Sequence, residues 1–439
     1  MRLRPLIALL AAATAVAAAG IAAPAAQAAS SGSTRPKLRQ VGYFTQWGIY
    51  GRNFHVKDLD TSGAAAKLTH INYAFANVSP EGLCFQSATP GESDAWADYQ
   101  RTVPAEQSVD GVGDTWGEPL NGNFGQLLKL KQKHPNLKVM ISIGGWTWST
   151  YFSNAALPEN RAAFVSSCID IFLKGNLPIL DGGSGGPGAA AGVFDGIDLD
   201  WEWPNWNGEP GNVIRPEDKV NFTGLVAEFR KQLDALGQSN AKKYELSAFL
   251  PANPAAMDAG FEGKKIFKYL DFATVQGYDF HGTWETVTNQ QSALRRPAGS
   301  PDNPDFTLER TVKSWIERGA PRQKIVIGIP YYGQGWTGIT AGGNGLFKPA
   351  TGPAPATHQA GFEDYKALKT LGYPVYRDWQ AGHAWLFNGT TFWTYDDPLV
   401  VLQKTLWSRS QGLGGVMVWS LDGDDSNATL TKTIHLGLS

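Results

Sequence analysis

The sequence predicts an α/β fold: a (β/α)8 TIM barrel carrying a small α+β insertion lobe. Three observations lead there. Eight short apolar runs of strand length are spread along the chain. Amphipathic helical patterns fill several of the intervals, and alternation of the two element types implies a parallel sheet. The chain has 439 residues, 42% of them hydrophobic, which is ample for one large core; barrels of this kind run as single domains of roughly 250 residues or more.

The elements follow in order. Residues 1–28 read as a signal peptide, with Arg2 and Arg4, an apolar run over 6–19, and the small-x-small site Ala26-Gln27-Ala28. The run is too short and too alanine-rich for a membrane span, so the expectation is a secreted, extracellular protein with no membrane partner. Residues 29–36 form a polar leader, and 37–439 make up the barrel domain. Strands are expected at 41–45, 70–75, 139–143, 196–199 running on to 202, 246–250, 272–275, 325–329 and 415–419. Helices are expected at 124–134, 159–173, 216–236 and 308–318. Three stretches interrupt the alternation: a polar loop at 87–122, a Gly-rich one at 181–192, and residues 336–394. The last is too long for a loop and carries its own aromatic runs at 373–379 and 384–392, so it is read as the inserted α+β lobe. No internal repeat and no linker to a separate module is visible.

The formal net charge of −2 argues against a polycation built to neutralise nucleic-acid phosphates. Cys84 and Cys168, the two cysteines, are compatible with one disulfide; the amphipathic pattern around Cys168 suits a buried thiol equally well. The seven His residues show no ligand spacing, so neither a metal nor another cofactor is expected. No association motif is apparent, and a monomer is the default.

The chemistry concentrates in residues 195–204, Asp-Gly-Ile-Asp-Leu-Asp-Trp-Glu-Trp-Pro. Side chains on a strand alternate faces, so Asp198, Asp200 and Glu202 share one face, while Ile197, Leu199, Trp201 and Trp203 take the other. The apolar set suits the helix layer, which leaves three carboxylates pointing into the barrel. Unpaired buried charge costs several kcal/mol per ion, and like charges oppose one another's ionisation. A solvated edge strand would be the bland alternative; Trp and Ile on the opposite face argue against it. Strain of this kind is kept for function. Glu202 falls at the C-terminal end of the strand, where barrel active sites lie, and is the candidate general acid. Asp200 is placed to hydrogen-bond to Glu202 or to substrate, and Asp198 to exchange a proton with Asp200. Among the sixteen Trp residues, Trp47, Trp146, Trp148 and Trp284 fall just past strand ends, where large amphipathic rings suit stacking on sugar faces.

The acid run resembles the DxxDxDxE signature of family 18 glycoside hydrolases, the chitinases, at Asp195, Asp198, Asp200 and Glu202. Further pieces agree in order: Ser142, Gly144 and Gly145 match an SxGG, Tyr278-Asp279 a Tyr-Asp pair, Tyr331-Tyr332-Gly333 the end of strand seven, Trp419 the end of strand eight, and residues 46–52 the first barrel loop. The resemblance covers roughly 37–439, and the lobe is similar to one that deepens the cleft in one chitinase subgroup. It implies hydrolysis of β-1,4-linked N-acetylglucosamine in chitin and chitooligosaccharides, by a retaining mechanism in which the substrate's own acetamido oxygen is the nucleophile. Glu202 would then act as acid and base, Asp200 would orient the acetamido group, Tyr278 would bond its oxygen, and Asp198 would tune Asp200. Asp279, Tyr332, Trp47, Trp146 and Trp284 would contact sugar, with Trp419 as the floor beneath it. Asp195, Ser142, Gly144 and Gly145 would give structural support. Two positions depart from many members: Gln334 stands where Arg is common and Gln276 where Met is common, both at expected sugar sites. A lectin of the same fold would lack an acid at position 202, and an endo-acting glycoprotein glycosidase would have less use for the aromatic groove and the lobe.

Overall fold

The computed structural model describes residues 38–301 and 306–439; the signal peptide and polar leader expected at 1–36 lie outside the described residues. Among the described residues, eight parallel strands close into a barrel: Arg39–Thr45, His70–Val78, Lys138–Gly144, Gly196–Asp200, Glu245–Leu250, Phe272–Val275, Ile325–Pro330 and Gly415–Trp419. Each pairs with the next, and the first pairs with both the second and the eighth. Every apolar run expected as a barrel strand is one. The fourth ends earlier than expected, at Asp200 rather than 202.

The expected helices appear as Gly122–Lys133, Arg161–Cys168 continued by a wider turn over Ile169–Leu173, Asp218–Asn240 and Leu308–Glu317. The helix due after the inserted lobe is Pro398–Ser410, and further helices outside the expected ranges include Val56–Thr61, Pro254–Gly260 and Thr429–Leu438. Outward-facing strand residues such as Ile197, Leu199 and Leu246 join Phe222, Leu225 and Phe229 of the long helix in one continuous core. Trp201 belongs to this outer layer, stacked on Phe152 at 5.4 Å between ring centres. Trp203 does not: it leans on Phe249 of the fifth strand, 5.5 Å away, because the strand has already ended and alternation no longer governs it.

The barrel interior is polar at its middle. Asn72, Ser142, Asp198, Ser247 and Thr274 are fully buried. The strand register sets Ser142 beside Asp198 and Asp198 beside Ser247, so the two hydroxyls flank the acid.

After the seventh strand the chain enters an antiparallel sheet of Tyr332–Thr337, Gly352–Pro353, Phe362–Asp364, Val375–Asp378, His383–Phe387 and Phe392–Tyr395. Trp336, Ile339, Trp385, Phe387 and Phe392 give it a small core of its own. It begins at Tyr332, closer to the barrel than the 336 expected, because Tyr332–Thr337 pairs within this sheet rather than forming a loop. Where it returns to the barrel, Lys404 and Asp396 form an ion pair at 2.5 Å with both side chains fully buried, and Lys404 also donates to the Ser292 carbonyl. Cys84 and Cys168 are joined as a disulfide across 84 residues, so the buried-thiol alternative does not hold. It ties the short strand Cys84–Phe85 to the helix Arg161–Cys168.

Candidate active site

The loops after the barrel strands enclose a cleft of about 890 Å³. Its lining contains Glu202, Asp200, Tyr278, Asp279, Gln276, Tyr332, Trp47, Trp146, Trp419 and Gly144 from the residues singled out in the sequence, and Trp148 as well. Asp198 and Ser142 lie below the lining, in the buried middle of the barrel. Trp284 is not part of the cleft wall: it is 63% exposed, with its ring over Gly282. Gln334 also lies outside the wall but donates to Asp279 Oδ1 at 3.0 Å. Asp195 sits at the start of the strand, paired with Lys131 at 2.7 Å and accepting from the Val139 N–H at 2.9 Å.

Asp198 accepts from three hydroxyls: Tyr43 (2.8 Å) and Ser142 (2.8 Å) on one oxygen, and Ser247 (2.5 Å) on the other. Burial raises its pKa, and these bonds pull it back. Asp200, further up the strand, is also buried, but its Oδ1 has no hydrogen-bond partner among the described residues. Its pKa is held well above the usual carboxylate range by burial first, then by Glu202 and Asp198. No hydrogen bond joins Asp200 to Asp198 or Glu202 among the described contacts; the proton exchange expected from the sequence has no direct bond to run along, because the hydroxyls occupy both oxygens of Asp198.

Glu202 lies beyond the strand end and is partly open to the cleft. Its backbone is fixed from two sides. Its N–H donates to the Ser149 hydroxyl (2.9 Å), and its carbonyl accepts from Asn212 (3.0 Å). Desolvation, helped by the nearby Asp279 charge, pushes its carboxyl up to about 8. An acid with this pKa holds its proton at neutral pH, as a general acid must.

Gly144 and Gly145 make this geometry possible. Both have positive φ (104° and 72°). A Cβ on Gly144 would come within 2.5 Å of the Asp200 carbonyl oxygen, and one on Gly145 within 2.5 Å of the Phe75 ring. Only glycine tolerates such approach in that conformation.

Opposite the acids, Tyr278 is buried against Phe249, its ring stacked at 6.2 Å. Among the described residues its hydroxyl has only the Met417 sulfur at 3.9 Å, a weak acceptor, and burial first, then the surrounding carboxylates, keep it protonated. Asp279 has φ 55° and is hydrogen-bonded by Tyr332 and Gln334. Gln276 accepts from the Ala252 N–H at 3.1 Å. Trp419 stacks on Phe75 at 5.6 Å and 17° and forms the cleft floor with Tyr43 and Trp47.

Several lining or supporting residues escaped sequence reasoning. Tyr43 and Phe249 read as ordinary strand core. Their position two residues from other interior positions was the available signal for Phe249, which follows Ser247. Phe75 had none: alternation puts it outward with Tyr73, and a register shift between Ala74 and Ala76 turns it into the cleft. Ser149 lies in a loop without period. Among the described residues that line the cleft, four are carboxylates (Asp94, Asp200, Glu202, Asp279) and none is Lys, Arg or His.

Residues 39–424 match the family model described as glycosyl hydrolases family 18. The chain is 42% identical over 393 residues to chitinase C of Streptomyces lividans, covering 88% of this chain and 58% of that protein. It is 40% identical over 404 residues to chitinase 63 of Streptomyces plicatus, covering 91% and 60%. The chain thus spans less than two thirds of the length of these curated relatives. Among solved structures, the catalytic domain of psychrophilic chitinase B from Arthrobacter TAD20 superposes with a TM-score of 0.88 at 47% identity, covering 92% of this chain and 95% of that one. With a family model matching residues 39–424, and with Asp200 and Glu202 at one cleft, this chain belongs to glycosyl hydrolases family 18.

Proposed function

We propose that this protein is a secreted chitinase that cleaves β-1,4-N-acetylglucosamine linkages with retention, using the substrate's acetamido group as nucleophile and Glu202 as acid and base. The observation that carries this reading is the pair formed by Asp200 Oδ1, buried without a partner at the cleft, and the Tyr278 hydroxyl, which has only a sulfur nearby. A buried acceptor without a donor is costly. An acetamido group bound between them supplies what each lacks: its N–H donates to Asp200, and its carbonyl oxygen accepts from Tyr278.

In the first step Glu202 gives its proton to the glycosidic oxygen. The C1–O bond breaks with its electron pair on the departing alcohol, and the acetamido oxygen bonds to C1, forming an oxazolinium ion. Asp200 steadies the positive charge. In the second step the Glu202 carboxylate takes a proton from water, the oxygen of that water bonds to C1, and the C1–oxazolinium bond opens. Glu202 is thereby reprotonated. Trp419 carries the apolar face of the reacting sugar, Trp47 and Trp146 extend the path for the chain, and Gln334 holds Asp279 toward the sugar. Gln276 sits at the wall between Tyr278 and Ala252 and shapes the same subsite. The apolar leader at residues 1–28 and the Cys84–Cys168 disulfide support export to an oxidising compartment.

Product analysis on colloidal chitin, with Glu202→Gln beside the wild type, tests the reading. Soluble N-acetylglucosamine oligomers are expected from the wild type. The variant should release essentially none while still binding the hexasaccharide. Turnover of the variant near the wild-type rate would remove Glu202 from its role; no sugar from the wild type would remove chitin as substrate.

A further inference from the structure

Away from the reacting acids, one carboxylate is buried with no evident part in the chemistry. Asp98 lies in the short helical turn Trp96–Gln100 within the long loop after the second strand, and is 1% exposed. Its Oδ1 accepts from Gln46 Nε2 at 2.6 Å and from the Tyr73 hydroxyl at 2.5 Å, and its Oδ2 accepts from Gln86 Nε2 at 2.9 Å. Asn123 at the start of the helix Gly122–Lys133 donates to the Tyr73 oxygen and to the Gln46 carbonyl, at 3.0 and 3.3 Å. Ser93 donates to Gln86 Oε1 at 2.8 Å. No Lys, Arg or His forms an ion pair with Asp98 among the described residues, so it is an acid enclosed for its acceptor capacity alone.

The elements that meet on Asp98 share one property: each continues into the cleft wall. Gln46 precedes Trp47. Asp98 follows Trp96 by two residues, and Ser93 and Asp94 lie just before it. Gln46, Trp47, Ser93, Asp94 and Trp96 all line the cleft. Tyr50 closes the same wall by donating to Asp94 at 2.8 Å. We infer that Asp98 is the positioning residue for this substrate-binding wall: three donors from separate segments converge on one buried carboxylate, and that convergence sets where Trp47 and Trp96 stand relative to the sugar chain. The inference rests on the chitinase reading. It concerns the wall and not the acids of the fourth strand, so its effect falls on chain binding rather than bond cleavage.

Asp98→Asn keeps the shape and removes half of the acceptor capacity. At least one donor then meets an N–H in a closed space, at a cost of about 1–3 kcal/mol, on the order of ten- to hundredfold if it is expressed in chain binding. The measurement is calorimetric binding of the N-acetylglucosamine hexasaccharide to Glu202→Gln and to Glu202→Gln/Asp98→Asn, together with KM and kcat of the single Asp98→Asn variant on the hexasaccharide and on an aryl disaccharide. The expected result is an affinity loss of about tenfold or more, with the loss in hexasaccharide KM clearly exceeding that on the disaccharide. Tyr73→Phe, which deletes one donor and leaves the acid, should fall between wild type and Asp98→Asn and covers the case in which the amide variant does not fold. Unchanged hexasaccharide affinity, or equal losses on long and short substrates, would overturn the inference. Failure of the Glu202→Gln protein to bind hexasaccharide at all would overturn the chitinase reading beneath it.

Discussion

At the scale of the residue, the decisive quantity is the proton on Glu202. Its carboxyl is pushed up to about 8, chiefly by burial, so the protonated enzyme persists through neutral pH. The alkaline limb of kcat/KM should therefore fall as pH rises through about 8, and a pH–rate profile on a soluble oligosaccharide checks this. The same shift has a folding consequence. The folded value lies above the roughly 4.3 of an unfolded glutamate, so the contribution to stability is fully present below that pH and is lost as pH climbs toward 8. Glu202→Gln carries no ionisation and should gain in melting temperature relative to wild type across that window, with the difference levelling off above it. A gain independent of pH would count against the shift. The shared face of Asp198 and Asp200 is legible from period-two spacing, whereas Glu202 stands past the strand end, where the loop and not alternation sets its direction. Asp98, Ser149 and Phe75 are not legible: the first two stand in aperiodic loops, and the third is turned by a bulge that leaves no mark in composition.

At the scale of the element, the barrel strands could be read because each buries both faces and shows as a short apolar run or, in the fourth, as acids alternating with Ile197 and Leu199. The helix after the lobe is expected from the alternation, though without bounds. Pro398–Ser410 opens with an Asp397 cap that accepts from the N–H groups of Leu399 and Val400, and with Pro398 in its first turn; that start signal is what fixes the helix's first residue. That helix carries Lys404, whose charge is paired with Asp396 where the lobe rejoins the barrel. Removing one partner of a buried pair leaves an uncompensated charge. Lys404→Met should destabilise the protein by about 3–5 kcal/mol, and Lys404→Met/Asp396→Leu should recover most of the loss. Chemical unfolding of the two variants beside wild type measures this. Equal stability of all three would mean that the pair does not fasten the lobe.

At the scale of the whole molecule, the Cys84–Cys168 bridge spans the loop that forms the Asp98 wall. The replacement Cys84→Ser/Cys168→Ser should cost about 2–4 kcal/mol, read as a lower melting temperature that reductant no longer changes. The sequence alone left this bond open, because two cysteines 84 positions apart carry no geometric information until the fold brings their segments together. The closed barrel, by contrast, needed no such information, since eight units of alternating type have few other ways to bury their faces. One property of the assembled cleft reaches beyond any single contact. Among the described residues its lining holds four carboxylates and no Lys, Arg or His; burial holds two of the four, Asp200 and Glu202, toward their neutral forms, so the field in the cleft grows more negative as pH rises through about 8. A neutral polysaccharide enters without paying for that field. A polyuronate or sulfated chain of the same width should therefore be repelled more strongly above that pH than below it, and added salt should relieve the repulsion as the screening length shrinks from about 10 Å at 0.1 M.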